Sequence, residues 1–193
     1  MNSIANIETQ SLLYHLTDIA NLENILTDGL KPRSELQCFS DVADHEILDK
    51  RKKLDLEKYV PFHFFGGSPF DGGVQKANLD TQFVLLTVRR DHAKANNWKI
   101  IPSHPLADDD IELMDYDEGF SAIDWAKMNE REYSDPTSKS VCMAECLSPN
   151  EVLPARFFSI YVKDEIVETE VQKLLKKAGL SPHLNINQGM FVK

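Results

Sequence analysis

The chain has 193 residues, 42% hydrophobic and 27% charged, and carries a net charge of -10. That length suits one domain over 1–193; no window approaches the roughly 18 consecutive apolar residues of a membrane span. The opening MNSIANIETQ has neither the basic nor the apolar region of a secretory signal, so a cytoplasmic location is expected.

In chain order, SLLYHLT (11–17) reads as a buried strand, and DIANLENILTDGL as a helix with Asp18 able to cap its start and Gly29 its end. Residues 41–54 predict a second helix that ends in KRKK (50–53), a basic spot equally compatible with a solvated helix face. YVPFHFF (59–65) reads as a strand stopped by GGSP, QFVLLTVRR (82–90) as the clearest strand, and WKIIP (98–102) as a shorter one after a one-turn helix. Residues 103–118 lack an apolar period and predict a loop. AIDWAKMNERE (122–132) predicts a short helix and SDPTS a turn. Strands are expected at 141–147 and 157–163, a helix at 164–178, and a final strand near 186–192. Few strands are separated by full crossover helices, so the expected class is α+β, with a mixed or antiparallel sheet and short flanking helices.

Charge and cysteine usage narrow the chemistry. Cys38, Cys142 and Cys146 are odd in number and form no C-x-x-C pair, which argues against a disulfide framework and a zinc knuckle. Cys142 and Cys146, four apart on the expected strand, would share a face and suit packing. The spacings of His15, His63 and Glu145 match no metal motif, so no metal is expected. Net acidity speaks against a general nucleic-acid binder, yet residues 101–135 hold 11 of the 31 acids and 2 of the 21 bases, leaving the remainder close to neutral. Glu145 is a lone carboxylate in the apolar run VCMAECLSP: either it lies on the solvent face of a half-buried strand, or it is functional. His15 and Thr17 share one face by alternation, and a lone strand histidine is either a satisfied core residue or a ligand group. Asn21 can cap a helix or bind a ligand.

Three stretches, YHLTDIANLENILTDGL, RKKLDLEKYVPFHFFGGSPF and IDWAKMNEREY leading into MAECLSPNEVLP, together with the closing HLNINQGMFV, resemble the DarT-type ADP-ribosyltransferases in order and spacing, over about residues 11 to 192. The resemblance implies an ADP-ribosyltransferase-like sheet and an NAD-dependent enzyme that transfers ADP-ribose to a nucleobase of single-stranded DNA. It also implies a toxin paired with a macrodomain antitoxin. Glu145 then matches the catalytic glutamate, which would stabilise the oxocarbenium-like ribose and serve as general base. Arg51 matches an arginine upstream of the YVPF strand, suited to the pyrophosphate or the reacting ribose. His15, Thr17 and Asn21 match NAD-binding positions, and His63 stands where the family more often has Tyr, facing substrate.

One departure concerns the acceptor. The family commonly reads Arg-Gln-Ala before its glutamate, and here Cys142, Met143 and Ala144 stand there, while eight acids lie between Asp108 and Asp124. Single-stranded RNA and a protein side chain are therefore alternative acceptors, and a non-catalytic NAD or nucleic-acid-binding module is a further alternative. Intact Glu145 and Arg51 weigh against the last.

Overall fold

The computed structural model describes residues 6–36, 39–40, 51–52, 54–105 and 112–192. Seven strands form one mixed sheet: β1 (Leu12–Asp18), β2 (Val60–His63), β3 (Phe83–Arg89), β4 (Lys99–Ile101), β5 (Glu145–Ser148), β6 (Ser159–Val162) and β7 (His183–Ile186). Their spatial order is β4-β5-β2-β1-β3-β6-β7, every pair being antiparallel except β6–β7. This is the α+β architecture expected from the sequence. Among the described residues seven short helices flank it: α1 (Leu22–Asp28), α2 (Pro69–Ala77), α3 (Arg90–Ala95), α4 (Tyr116–Ala122), α5 (Trp125–Glu130), α6 (Pro136–Val141) and α7 (Glu165–Ala178).

Alternation along β1 and β3 sends side chains to two separate cores. Leu13, Val84, Leu86 and Val88 pack with Leu22 and Ile25 of α1 and with Val167, Val171 and Leu175 of α7. Tyr14, Leu16, Phe83 and Leu85 pack with Phe191 on the other face, where Val74 of α2 joins them. The α7 helix follows directly from its sequence. Asp164 accepts from the N–H groups of Ile166 and Val167, buried residues recur every fourth position, and Gly179 ends it at φ 69°.

Several boundaries differ from the sequence reading. The expected loop at 103–118 contains the start of α4, and the expected turn SDPTS contains the start of α6, capped by Asp135. In consequence β5 begins at Glu145 rather than 141, and Cys142 is the C-cap of α6 rather than a strand residue; both it and Cys146 are buried. The last strand is His183–Ile186, followed by a 3-10 turn over Gln188–Met190. Helix α2 was not anticipated, because Gly72 and Gly73 weaken its signal; a Ser68–Asp71 capping box and Pro69 start it. The expected helix at 41–54 lies mostly outside the described residues, although Arg51 and Lys52 are helical.

Two features brace the region around β5. Arg90, with no carboxylate partner among the described residues, donates to the carbonyls of Leu12 at 3.1 Å, Glu8 at 3.0 Å and Phe64 at 2.7 Å. Its guanidinium also lies over the rings of Phe64 and Trp125, and burial lowers its pKa to about 10. It thus ties the start of β1 to the end of β2 and to α5. In α4, Gly119 lies so close to β4 that a Cβ there would stand 2.6 Å from the Cβ of Ile100. Gly119→Ala would gain about 1 kcal/mol of helix propensity, while overpacking costs about 1–3 kcal/mol. The expected net result is a loss of up to about 2 kcal/mol, read as a lower urea midpoint at unchanged m; a higher midpoint would mean that the contact can relax.

Candidate active site

The sheet splits where the site lies. β1 pairs with β3 over seven residues but with β2 at one Cα pair, Tyr14↔His63. Pro61 has no N–H to offer β1, and its carbonyl accepts from His15 Nδ1 at 2.7 Å instead. A cavity of about 520 Å³ opens at this cleft, lined among others by His15, Thr17, Asn21, Arg33, Phe39, Arg51, Tyr59, His63, Phe70 and Glu145. The size lies within the roughly 300–1,000 Å³ range of small-molecule sites.

Glu145 is 3% exposed, so the reading of a solvent-facing strand carboxylate does not hold. Its charge is compensated by Arg51, whose Nη1 donates to Oε1 at 2.7 Å and Oε2 at 2.9 Å. A buried carboxylate requires such a partner, because an unpaired one would bear the full desolvation cost. Among the described residues only Nη1 of the guanidinium has a partner, and Arg51 lines the cavity.

Three histidines approach the pair. His63 lies directly opposite Glu145 across β2–β5; its Nδ1 donates to the Ala144 carbonyl at 3.2 Å, and its ring packs on Phe70 at 5.0 Å. His15 likewise uses Nδ1 as donor, which leaves Nε2 able to accept from a ligand hydroxyl. Burial is the main reason that His15 falls from 6.5 to about 4, so it is neutral near pH 7. His104, half-buried in the turn after β4, is also held low by burial, while the opposing charge of Glu145 raises it. The sequence reading did not nominate His104. Its available signal is position: it follows by three residues Ile101, which pairs with Glu145.

The His15 shift makes a stability prediction. The unfolded chain takes up a proton near 6.5 and the folded chain only near 4, so stability falls as pH drops between those values, by up to about 1.4 kcal/mol per unit. His15→Gln removes this slope. The gap in unfolding free energy between wild type and variant, from urea titrations, should be largest at pH 7 and shrink toward pH 4; a gap independent of pH would contradict the burial of a neutral His15.

The remaining predicted residues divide. Thr17 is buried in the cavity wall, and its Oγ1 accepts from Asn21 at 3.4 Å. Asn21 makes no helix-cap bond. Its amide instead pairs with the backbone of Ser40, accepting from N at 2.8 Å and donating to O at 3.0 Å. Asp18 holds Ser40 Oγ at 2.5 Å. Asn21 thus fixes the segment bearing Phe39 as a wall of the cavity, a role the sequence could not disclose. Arg33, also missed, lines the same wall with its guanidinium 4.9 Å from the Phe39 ring centroid. Burial lowers its pKa first and the nearby Arg51 charge second, with Glu57 opposing. Two guanidinium groups facing one cavity make an anion site. Lys50 and Lys53 lie outside the described residues, and Lys52 is exposed. Among the described residues no group of three His, Cys, Asp or Glu could hold a metal ion.

Among the described residues, four of the 11 acids between residues 101 and 135 have lysine partners. Asp115 pairs with Lys99 at 2.5 Å, Asp117 with Lys94 at 2.7 Å, and Glu130 and Asp135 both with Lys127. Among the described residues no helix is long and apolar enough to cross a membrane.

Comparison with known proteins gives one family match, described as "DarT: ssDNA thymidine ADP-ribosyltransferase, DarT", over residues 14–192. No curated protein matches the chain in sequence. Among solved structures, DarT of Thermus sp. 2.9 in complex with ADP-ribosylated ssDNA superposes at a TM-score of 0.78 with 22% identity, covering 94% of this chain and 96% of that one. The same Thermus protein in complex with NAD+ gives 0.76 and 20%, covering 95% and 98%. Thermosipho africanus DarTG in complex with ADP-ribose gives 0.74 and 22%, covering 94% of this chain and 51% of that chain.

Proposed function

The chain belongs to the DarT family of single-stranded-DNA thymidine ADP-ribosyltransferases, and on that footing we propose that its cleft binds NAD and transfers ADP-ribose to thymine in single-stranded DNA. The observation that carries this reading is the buried Arg51–Glu145 pair, with each member opening on the same cavity. The Thermus complexes, with NAD+ in one case and ADP-ribosylated ssDNA in another, come from a chain of the same fold and support both ends of the reaction.

Arg33 and Arg51 receive the pyrophosphate, His15 Nε2 accepts from a ribose hydroxyl, and Phe70 and His63 offer ring faces to nicotinamide. The C1′–N bond to nicotinamide breaks with its electron pair leaving on nicotinamide, and positive charge develops on the ribose. The Glu145 carboxylate, fixed by Arg51, stabilises that charge without reorganising. In thymidine N1 carries the sugar, so N3–H is the ring nitrogen able to lose a proton; N3 attacks C1′, and Glu145 accepts the proton. The protein acts in the cytoplasm as the toxin of a pair whose macrodomain-type antitoxin removes the ADP-ribose. That pairing is in keeping with the Thermosipho DarTG protein, which is about twice the length that this chain covers.

Transfer to a protein side chain drew support in sequence from the eight acids between Asp108 and Asp124 and from Met143 standing where the family has Gln; the lysine partners of Asp115 and Asp117 reduce only the first of these. The test incubates the protein and labelled NAD with single-stranded DNA, single-stranded RNA, duplex DNA and cell extract in parallel. Label on single-stranded DNA, reduced when thymidine is omitted, is expected. Label on RNA or protein alone would overturn the reading.

A further inference from the structure

A strand whose base reaches Glu145 must cross the surface beside it, and the chain from α5 through α6 leads directly into β5, which begins at Glu145. Helix α5 ends on Arg131, a C-cap with φ 50° and ψ 32°. Glycine is the ordinary occupant of this left-handed conformation, in which an L side chain is strained. A strained residue that retains a long charged side chain points to use of the side chain. The Arg131 side chain is exposed, with its Cζ 5.0 Å from the centroid of Phe65. Phe65 lies two residues beyond His63, which opposes Glu145. Tyr133, 40% exposed, is the one aromatic among the exposed large hydrophobic side chains of the described residues.

The segment bearing these two residues is fastened to the loop that delivers Glu145. Glu132 N donates to Ser138 Oγ at 3.1 Å, Ser138 Oγ donates to the Lys127 carbonyl at 3.1 Å, and Cys142 Sγ donates to the Met128 carbonyl at 3.5 Å. Neighbouring acids are already engaged: Glu130 and Asp135 by Lys127, and Glu132 by the N–H and hydroxyl of Ser134. Arg131 makes no ion pair among the described residues. The Arg131 guanidinium lies within electrostatic reach of both Cys142 and Tyr133.

Building on the single-stranded-DNA reading above, we propose that Arg131 binds a backbone phosphate beside the modified nucleotide and that Tyr133 stacks on the adjacent base. A guanidinium grips phosphate bidentately, and Phe65 beneath it holds the fork in place. An exposed aromatic ring stacks with any base, which suits a strand track that does not itself read sequence.

Arg131→Gly tests this cleanly, because it deletes the guanidinium while relieving the left-handed backbone; Tm is expected to hold or rise. Binding of a fluorescent thymidine-containing oligonucleotide should weaken about tenfold, and the slope of log Kd against log salt should fall by about 0.7, the value for one phosphate contact on a single strand. Arg131→Gln, which keeps the stem on Phe65, should give the same change in slope. Tyr133→Ala should weaken binding about tenfold with the slope unchanged, and Tyr133→Phe should bind as wild type. Wild-type affinity and slope in both Arg131 variants would overturn the proposal. If the wild-type protein neither binds nor labels single-stranded DNA, the functional reading itself fails; if it does both and the variants match it, only the strand track fails.

Discussion

Glu145→Gln is expected to lower the rate of ADP-ribosyl transfer to single-stranded DNA by about 10³-fold or more, with a much smaller change in NAD affinity. The substitution is nearly isosteric, so β5 and its pairing with His63 and Ile101 are kept. On the proposed mechanism, what disappears is the fixed negative charge beside the ribose and the proton acceptor for the attacking base. Loss of one preorganised electrostatic group costs about 10²–10³, and loss of a general base about 10²–10⁴. Both roles reside in one carboxylate, so the effects do not simply multiply, but neither can be replaced by Gln. The check is single-turnover transfer with labelled NAD, alongside calorimetric NAD binding. A rate within tenfold of wild type would remove Glu145 from the chemistry.

Arg51 should show a different pattern. Arg51→Ala strips the partner from a carboxylate that is 3% exposed, and breaking a fully buried pair costs about 3–5 kcal/mol. This pair borders a cavity that admits solvent, so about 1–3 kcal/mol is the expected loss of stability. Transfer should fall about 10²–10³-fold, since the ribose charge and the pyrophosphate both lose a contact. Arg51→Lys retains a positive charge near Glu145 and should recover most of the stability. It should recover little of the activity, because an ammonium cannot hold both carboxylate oxygens and a phosphate in the geometry of a planar fork. Denaturation midpoints and transfer rates of the two variants separate these effects. Equal activity of Arg51→Lys and wild type would reduce the arginine to a charge. In the Glu145→Gln background, Arg51→Ala should cost far less than it does alone, because residues that act as a unit are not additive.

Much of this arrangement is legible in the chain itself. β1 and α7 carry their period, caps and glycine stops locally, and family-like stretches mark His15, Thr17, Arg51, His63 and Glu145, all of which line the one cavity. The structure brings them together. What escaped reading depends on partners far away in sequence. α4 was hidden because Asp117 and Glu118 crowd its first turn, where the helix dipole favours acids. α6 was hidden because its Pro, Thr and Ser residues read as a turn. Asn21 stood out by position, but its partner Ser40 lies 19 residues away. Arg33 and His104 sit in short, irregular segments with no periodicity to mark them, and only the folded sheet sets them beside Arg51 and Glu145.

The central claim, that the Arg51–Glu145 cleft moves ADP-ribose from NAD to a thymine of single-stranded DNA, is tested most directly by intact mass measurement of an oligonucleotide containing one thymidine. With wild-type protein and NAD the oligonucleotide should gain the mass of one ADP-ribose, located at the thymidine by fragmentation, and with Glu145→Gln it should gain nothing. An oligonucleotide left unmodified while the protein or another acceptor takes the label, or modification undiminished in Glu145→Gln, would contradict the account.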